Sequence, residues 1–369
     1  MSRSQAPLAV FASFSGTGGV ERMLVNLLRG FVDLGQSVDL VLVRADSPHL
    51  ARVPAEVRQV RLNVEHSLLA APALARYLRA RRPAALLAAK DRAGRAAVMA
   101  RTLAGTGTPI LLRLGTNLST AMEARTALER WLRYAPIRLL YPKVDRIVAV
   151  SEGVAEDTAR IARIPRERIG VIRNPVITPE LSAQAAQPCR HPWLAPGEPP
   201  VLMGAGRLQR QKDFPTLIRA FARLRAERDC RLMILGEGAA RPKLQSLIQE
   251  LGLDDSVDLP GFQTNPYAFL ARASVFVLSS AWEGSPNVLT EAMALGVPVV
   301  STECPSGPYE ILDAGRHGRL VPVGDAEALA EAMAATLDAP TPAERLRQAV
   351  AEYEQTTSAR RYLEALDHF

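Results

Sequence analysis

The sequence is poor in the residues that build metal centres and disulfide frameworks. Its three cysteines, Cys189, Cys230 and Cys304, form neither a metal-type pair nor an even disulfide set. Its five histidines have no ligand spacing, and no Asp-x-Asp motif occurs. We therefore expect no metal site and no cofactor, and we expect a reducing, cytoplasmic compartment.

Long apolar runs and nucleic-acid motifs are also missing. No run approaches the roughly 20 residues of a membrane helix, and residues 8–14 have neither the length nor the flanks of a secretory signal. Aromatic residues are only 5% of the chain, and no zinc finger, basic zipper or aromatic-glycine RNA motif occurs, which disfavours nucleic acid. The excess of 45 Lys+Arg over 38 Asp+Glu favours other anionic partners, such as nucleotides, phosphates or acidic lipid surfaces.

Strand and helix patterns alternate in two series along the 369 residues, which is long enough for two domains. We predict a first domain over 1–175, a proline-rich linker over 176–200, a second domain over 201–345 and a final helix over 346–369. The predicted strands are 7–13, 37–43, 57–62, 84–88, 110–113 and 146–150, then 201–205, 231–236, 257–259, 274–278, 297–301 and 318–321. This alternation is typical of α/β, doubly wound parallel sheets.

The chain is organised around residues 283–291, between two of these strands. A helix is predicted here, with Ser285 as its N-cap, Pro286 at its first position and Gly296 at its end. Ligands of parallel sheets bind beyond the carboxyl ends of the strands. We therefore expect Glu283 and Glu291 to face one crevice, where carboxylates accept hydrogen bonds from a polyhydroxylated ligand.

Residues 283–301 read Glu283-Gly-Ser-Pro-Asn-Val-Leu-Thr-Glu291 followed by Ala-Met-Ala-Leu-Gly-Val-Pro-Val-Val-Ser. This stretch closely resembles the donor-site motif of the retaining glycosyltransferases of family 4. The resemblance covers nearly the whole chain and is strong in its second half. It implies the GT-B fold, in which two doubly wound parallel-sheet domains face a central cleft. It also implies that the C-terminal helix crosses back to the first domain.

The loop Gly206-Arg-Leu-Gln-Arg-Gln-Lys-Asp-Phe214 resembles the diphosphate-binding loop of that family. The resemblance implies that Arg207 and Lys212 stabilise the leaving diphosphate, although most Arg and Lys side chains are merely solvated. It also implies that Glu291 binds the ribose and Glu283 the sugar. The other substrate-binding candidates in this half are Gly206, Gly236, Gly261, Phe262, Ser285, Pro286, Asn287, Val288 and Leu289.

Gly18 and Gly19 follow the first strand and resemble the glycine loop of the family. Glu21 replaces the third glycine of the dinucleotide fingerprint, which disfavours a nicotinamide enzyme. Many family members place a histidine in the middle of the first domain, whereas this chain has Leu112-Arg-Leu-Gly-Thr-Asn117. Arg113 and Asn117 are therefore the acceptor-side candidates.

The resemblance implies a metal-independent, retaining transferase that moves a hexose or hexosamine from a nucleotide-diphosphate sugar, most simply a UDP-sugar. The run Cys304-Pro-Ser-Gly-Pro-Tyr-Glu-Ile-Leu312 resembles members that build lipid-linked or cell-surface glycans, and it predicts such an acceptor. The basic segments 76–82 and 125–141 add an expected peripheral contact with an anionic membrane, at the inner face of the cell membrane. A nucleotide-sugar epimerase or hydrolase, a non-catalytic nucleotide-sugar-binding protein and a basic surface-binding protein are the alternatives.

Overall fold

The computed structural model describes residues 6–16 and 18–367. The strands are β1 Leu8–Phe14, β2 Val38–Ala45, β3 Arg58–Arg61, β4 Ala85–Ala89, β5 Ile110–Leu114, β6 Arg146–Ala149, β7 Ile169–Val171, β8 Val201–Ala205, β9 Arg231–Leu235, β10 Val257–Gly261, β11 Val275–Leu278, β12 Val299–Thr302 and β13 Arg319–Val321. The α-helices are α1 Gly19–Asp33, α2 Ala71–Arg81, α3 Asp91–Ala104, α4 Leu118–Ala121, α5 Ala127–Leu140, α6 Glu152–Ala162, α7 Pro179–Ala185, α8 Phe214–Glu227, α9 Arg241–Glu250, α10 Pro266–Leu270, α11 Asn287–Ala294, α12 Pro308–Ile311, α13 Ala326–Asp338, α14 Ala343–Ala349 and α15 Gln355–Asp367. Short 3₁₀ turns cover Pro48–Arg52, Ser67–Ala70, Tyr141–Lys143, Arg166–Arg168, Pro192–Leu194, Arg210–Lys212 and Ala351–Tyr353.

The chain forms two compact units. The first contains the residues up to Pro175 and those from Glu354 onwards, and the second contains Val176–Tyr353. Residues 176–200, predicted as a linker, belong to the second unit, because the side chains of Val176, Leu181 and Ala185 are buried in its core. The helix α15 belongs to the first unit, as the GT-B fold implies.

The first unit is built on a parallel sheet with the strand order β3-β2-β1-β4-β5-β6-β7. Its inner strands, such as β1, β4 and β5, are short, nearly continuous apolar runs, because helices cover both faces of the sheet, whereas the edge strand β3 is largely exposed. The chain winds outward from β1 to β2 and β3, then returns to the other side of β1 at β4. The six strands predicted here are present, and β7 was missed because three residues are too few to show a period.

The helix α15 packs on α1 within the first unit. A Cβ at Gly30 would lie 2.7 Å from the Cβ of Ala359, so only glycine allows the two helices to approach this closely. The rings of Phe31 and Tyr362 meet edge to face, with their centroids 6.5 Å apart. The hydroxyl of Ser358 donates to a backbone carbonyl of the same unit at 2.9 Å. The helix is therefore part of the core of this unit.

The second unit has a parallel sheet with the order β10-β9-β8-β11-β12-β13. All six predicted strands are present. The winding direction reverses between β8 and β11, and this reversal is the place where open α/β sheets bind ligands. The loops that follow these two strands are residues 206–213 and 279–286, the two segments that the sequence predicted to hold the donor.

No helix within the described residues is both long enough and apolar enough to cross a bilayer.

Candidate functional site

The helix at the centre of the predicted site starts later than the sequence predicted. The helix α11 begins at Asn287 with Pro286 as its N-cap, so Ser285 lies outside it. The prediction that Ser285 caps the helix is wrong, because its hydroxyl oxygen is buried without a hydrogen-bond partner in the described residues. Gly296 follows the end of α11 with a φ of +78°, as predicted for a left-handed stop.

A buried ion pair joins the two loops at the switch point of the second sheet. The Nζ atom of Lys212 lies 2.6 Å from Oε1 of Glu283, and the two side chains are 14% and 9% exposed. Taking two charges out of water is costly unless each is well paired. The geometry therefore fixes an ammonium and a carboxylate side by side at the ligand-binding end of the sheet.

Two residues that the sequence analysis missed complete this arrangement. The hydroxyl of Ser280 donates to Oε1 of Glu283 at 2.7 Å, and the side-chain amide of Gln211 donates to the carbonyl of Trp282 at 2.9 Å. The same amide lies 3.4 Å from Oε2 of Glu283. Their positions in the sequence could have indicated both residues. Ser280 lies between β11 and Glu283, and Gln211 directly precedes Lys212.

Backbone contacts also bring the two loops together. The hydroxyl of Ser279 donates to the carbonyl of Lys212 at 2.8 Å, and the amide of Ala281 donates to the carbonyl of Gln211 at 2.8 Å. Of the hydrogen bonds to the carboxylate of Glu283, only the longest, the one from Gln211 at 3.4 Å, reaches Oε2. Oε2 is therefore the oxygen better able to accept a hydrogen bond from a ligand.

Gly206 and Gly236 allow the loops after β8 and β9 to touch. A Cβ at Gly236 would lie 2.0 Å from the carbonyl oxygen of Gly206, a distance that no side chain tolerates. A Cβ at Gly206 would lie 2.7 Å from the side chain of Lys212. Both glycines also have positive φ values, of 151° and 133°. Their role in this structure is to shape the loop that carries Lys212.

Glu291 lies on α11 and is 2% exposed. The hydroxyl of Tyr267, on α10, donates to its Oε1 at 3.4 Å. Tyr267 was not predicted as a site residue, because a lone tyrosine in a short helix gives no signal in the sequence. Glu283 lies in the loop before α11, whereas Glu291 lies in the second turn of that helix, so the two carboxylates have separate positions.

Three further donor-side candidates lie at strand ends. Arg207 is exposed, and its side chain makes no hydrogen bond or ion pair with the described residues. Gly261 ends β10 with a φ of +85°, and Phe262 follows it with half of its surface exposed. An exposed guanidinium and an exposed aromatic ring are available to a phosphate and a base, respectively.

The remaining candidates of α11 divide into two kinds. Asn287 and Val288 form the first turn of α11, and both side chains are partly exposed. Leu289 is fully buried in the core, and its amide donates to the carbonyl of Pro286 at 3.0 Å. Pro286 has no N–H and is buried. Leu289 and Pro286 therefore support the site through packing, and the ligand contacts predicted for them stay predictions.

The first-unit candidates have mainly structural contacts. Gly18 is the N-cap of α1 and Gly19 is its first residue. Arg113 is 2% exposed and donates to Oδ1 of Asn174 at 2.7 Å, while burial lowers the pKa of its guanidinium. Asn117 caps α4, where its side-chain oxygen accepts from the amide of Thr120. Arg113 thus stabilises the first unit through a buried contact, and its contact with an acceptor stays a prediction.

The cysteine near Glu283 is not an activated nucleophile. Cys304 is buried near Glu283, and burial raises the pKa of its thiol to about 12, with the carboxylate of Glu283 adding to the shift. The thiol is therefore protonated and unreactive at neutral pH. No three His, Cys, Asp or Glu side chains of the described chain are grouped as metal ligands would be.

Comparison with known proteins assigns both halves of the chain. Residues 17–179 match the family model described as "Glycosyltransferase Family 4", and residues 188–354 match the model "Glycosyl transferases group 1". HepE from Anabaena, solved in complex with UDP, superimposes with a TM-score of 0.79 at 20% identity, covering 98% of this chain and 100% of that one. At this identity the likeness shows the fold alone, which is GT-B.

Curated relatives are similar over part of their length. A Campylobacter jejuni enzyme, N-acetylgalactosamine-N,N'-diacetylbacillosaminyl-diphospho-undecaprenol 4-alpha-N-acetylgalactosaminyltransferase, is 33% identical over 202 residues, which are 55% of this chain and 53% of that protein. The lipopolysaccharide core biosynthesis glycosyltransferase LpsE of Rhizobium meliloti is 37% identical over 199 residues, or 54% and 56% of the two chains. The match to each of these two relatives thus spans about half of its length.

Proposed function

The chain belongs to the glycosyltransferases, with a family 4 domain followed by a group 1 domain on the GT-B fold, and from that membership we propose its reaction. It transfers a hexose or hexosamine, with retention of configuration, from a nucleotide-diphosphate sugar to a lipid-linked or cell-surface glycan. UDP-sugars are the proposed donors. The observation that carries this proposal is the Lys212–Glu283 pair at the switch point of the second sheet.

The proposed roles follow from charge and hydrogen-bonding capacity. Glu283 accepts hydrogen bonds from hydroxyls of the transferred sugar, and Glu291 accepts them from the ribose. Lys212 and Arg207 carry the positive charge needed as the sugar–phosphate bond breaks. The dipole of α11, whose N-terminus follows Glu283 in the sequence, adds to that field. Fixed cations can do this work in place of a metal ion.

Retention is proposed to proceed by attack on the face from which the diphosphate departs. The acceptor hydroxyl oxygen forms a bond to the anomeric carbon, the bond from that carbon to the phosphate oxygen breaks, and the phosphate takes the hydroxyl proton. This route needs no protein nucleophile. It is consistent with the protonated state of the Cys304 thiol, the cysteine near Glu283.

The relatives support an acceptor that is made at a membrane. The name of the Campylobacter enzyme includes diphospho-undecaprenol, and the Rhizobium protein is named for lipopolysaccharide core biosynthesis. We propose an acceptor of the same class for this chain, in which a glycan is joined to a lipid. Such an acceptor must be met at a bilayer, which requires a surface on the protein that binds lipid.

The helix α5 of the first unit is the proposed membrane-docking surface. Its outer face carries Leu128, Trp131, Leu132 and Leu139, which are 65%, 58%, 57% and 66% exposed. Large apolar side chains repeated along one exposed helix face are unusual for a soluble surface. Apolar side chains flanked by cations suit an anionic membrane surface.

The inner face of α5 is firmly attached to the first unit. Ile137 is buried, and Arg133 forms an ion pair with Asp91 at 2.9 Å, while the hydroxyl of Tyr141 donates to the other oxygen of Asp91 at 3.0 Å. The apolar outer face therefore points away from the core. Within the described part of the first unit, its four large side chains stay more than half exposed.

The other basic segment, residues 76–82, contributes less to the proposed docking surface. Arg79 donates to the carbonyls of Leu103 and Ala104, and Arg81 donates to the buried carboxylate of Asp39 at 3.0 Å. Because these arginines stabilise the fold, changing them would damage the protein as well as any membrane contact. We therefore assign membrane docking to α5.

A donor screen tests the reaction. The protein is incubated with a panel of nucleotide sugars and short-chain lipid-diphosphate glycans, and products are identified by mass spectrometry. Arg207→Ala should lower turnover about a hundredfold, which corresponds to about 2.7 kcal/mol of transition-state stabilisation. Arg210→Ala is the matched control, because this exposed arginine of the same loop has no proposed role and should leave turnover near that of the wild type.

Other outcomes identify the alternatives. Release of free sugar and nucleotide without any acceptor would indicate an epimerase or hydrolase. Tight nucleotide binding without turnover on any donor would indicate a binding protein. Equal turnover in Arg207→Ala and Arg210→Ala would refute the role of Arg207.

Co-sedimentation with vesicles tests the docking surface. We expect binding to vesicles that contain phosphatidylglycerol, weaker binding to pure phosphatidylcholine, and loss of binding at high salt. Trp131→Ser with Leu132→Ser should abolish binding. Leu251→Ser with Val323→Ser is the control, because these side chains are also exposed but lie in the second unit. Equal binding of the two double variants would refute docking through α5.

A further inference from the structure

The first unit has an ion pair at its own switch point, outside the donor site. Lys90 directly follows β4, and Glu21 lies in the first turn of α1, which follows β1. The Nζ atom of Lys90 lies 3.7 Å from Oε1 of Glu21. The strands β1 and β4 are neighbours, and the chain reverses its winding direction between them. Ligands of open parallel sheets bind at this position.

The backbone of Lys90 is strained. Its φ of 78° and ψ of 159° lie in a region that is essentially reserved for glycine. Two hydrogen bonds hold it there, because its amide donates to the carbonyl of Arg113 at 3.0 Å and its carbonyl accepts from the amide of Gly94 at 3.1 Å. Strained residues of this kind are concentrated at ligand sites.

Stability does not explain why a lysine occupies this position. The side chain of Lys90 is 50% exposed, and an exposed ion pair of this length contributes little to stability. A glycine at position 90 would remove the strain and lose only that small contribution. The lysine side chain therefore has a use other than holding the fold.

Both charged groups have unused hydrogen-bonding capacity. A separation of 3.7 Å is too long for a hydrogen bond, and neither side chain makes one to another described residue. The side chain of Glu21 is only 8% exposed, so its carboxylate is largely removed from water. A ligand hydroxyl that donates to Glu21 and accepts from Lys90 would satisfy both groups.

The second unit provides an internal precedent. There, Lys212 and Glu283 lie in the loops after β8 and β11, the two neighbouring strands between which the second sheet reverses its winding. The same pair of residue types thus occurs at the switch points of both sheets. The pairs differ in packing, because the separation in the second unit is 2.6 Å and Glu283 also accepts from Ser280.

We propose that Lys90 and Glu21 bind a sugar hydroxyl of the acceptor, with Glu21 accepting a hydrogen bond from it and Lys90 donating one to it. This inference rests on the proposed function, because it assigns the sugar to the acceptor. The pair has no net charge, which suits a neutral sugar ring better than a phosphate.

Saturation-transfer NMR with methyl glycosides tests this site. The probes are the methyl glycosides of glucose, galactose, mannose, N-acetylglucosamine and N-acetylgalactosamine, added with saturating UDP so that the donor site is occupied by nucleotide. We expect a signal from at least one probe with the wild type, and a loss of at least fivefold in Glu21→Gln and Lys90→Gly. Retention of the signal in both variants, or no signal from any probe with the wild type, would overturn the proposal.

Thermal unfolding separates ligand binding from a structural role. Lys90→Gly should unfold at the same temperature as the wild type or higher, because glycine relieves the strain. A lower unfolding temperature together with a lost signal would mean that Lys90 is structural. Arg163→Gly is the matched control, because Arg163 is also an exposed cation with a positive φ, of 57°, at the end of α6. It should keep the signal.

Titration calorimetry with UDP distinguishes failure of this inference from failure of the proposed function. Wild type, Glu21→Gln and Lys90→Gly should bind UDP equally. If the wild type binds no nucleotide, the proposed donor is wrong whatever the sugar probes do. If nucleotide binding is normal and the sugar signal is unchanged in the variants, only the assignment of Lys90 and Glu21 is wrong.

Discussion

Replacing Lys212 with methionine separates the two effects of the buried ion pair, on stability and on turnover. Methionine has a similar length and no charge, so Lys212→Met removes the ammonium and leaves the carboxylate of Glu283 buried beside an apolar side chain. The double variant, Lys212→Met with Glu283→Gln, removes both charges and keeps the shapes of both side chains.

The expected loss in the free energy of unfolding follows from the burial of the pair. Removing one partner of a buried ion pair destabilises a protein by about 3–5 kcal/mol, because the other charge is left uncompensated. The two side chains are 14% and 9% exposed, and the hydroxyl of Ser280 still donates to Glu283, so we expect about 3 kcal/mol. The double variant should lie within about 1 kcal/mol of the wild type, since replacing the whole pair is often neutral.

Turnover should respond differently. The charge of Lys212 is needed most as the sugar–phosphate bond breaks, and losing about 2.7 kcal/mol of transition-state stabilisation lowers the rate roughly a hundredfold. Both Lys212→Met and the double variant lack that charge. Stability should therefore recover in the double variant while turnover stays low.

Urea unfolding monitored by tryptophan fluorescence measures the stability of the second unit. Of the three tryptophans, Trp131 belongs to the first unit, and Trp193 and Trp282 belong to the second. All variants are therefore made in a Trp131→Phe background, so that the signal comes from the unit that carries the pair. The reasoning is refuted if Lys212→Met is as stable as its background, or if turnover recovers along with stability.

Three further predictions concern single residues. Glu291→Gln replaces a charged acceptor with a neutral one and should weaken nucleotide binding by about 1–3 kcal/mol in titration calorimetry, whereas wild-type affinity would exclude it as the ribose ligand. Ser280→Ala removes a donor to the sugar-binding carboxylate and should lower turnover about tenfold while nucleotide affinity stays unchanged, and a turnover equal to that of the wild type would refute its positioning role. Burial raises the pKa of the Cys230 thiol to about 11 and that of the Cys304 thiol to about 12. Iodoacetamide at pH 8 should therefore label only Cys189 in the folded protein. Labelling of either buried thiol, detected by mass spectrometry, would contradict this.

Much of the fold was predictable because parallel strands covered on both faces are short, continuous apolar runs. Residues 201–205 and 274–278 have this pattern, and both contain strands within one residue of the predicted bounds. The strand β7 was missed, because its three residues include a glycine and show no pattern. Residues 176–200 were predicted as a linker because their prolines hide the few apolar positions that pack into the second unit.

The candidate site was predictable only as far as residue types and strand ends determine it. The sequence indicates that Glu283 and Lys212 lie at strand ends, but it does not show that they touch, because 71 residues separate them. The contact is made by the order of the strands. For the same reason the sequence did not indicate Lys90, whose conformation is a property of the folded loop.

Arg113 has a contact that the sequence did not predict. As a cation in a segment where the family resemblance implies a histidine, it is a candidate for the acceptor site. In the structure it lies within β5 and donates to Asn174, so burial makes it a link between two segments of the first unit. Alternation within a strand decides which face a residue meets, and a one-residue difference changes that outcome.

The position of α15 has a consequence for the order in which the chain folds during synthesis. The first unit begins at the start of the chain but requires Ala359 and Tyr362 to cover Gly30 and Phe31 of α1. The ribosome must first make residues 176–353, which takes roughly 10–40 s at roughly 5–20 residues per second. During that interval the side of α1 that packs on α15 is uncovered, while the second unit emerges as a continuous segment that has its complete core. We therefore expect the second unit to finish folding first, and chaperones to act mainly on α1.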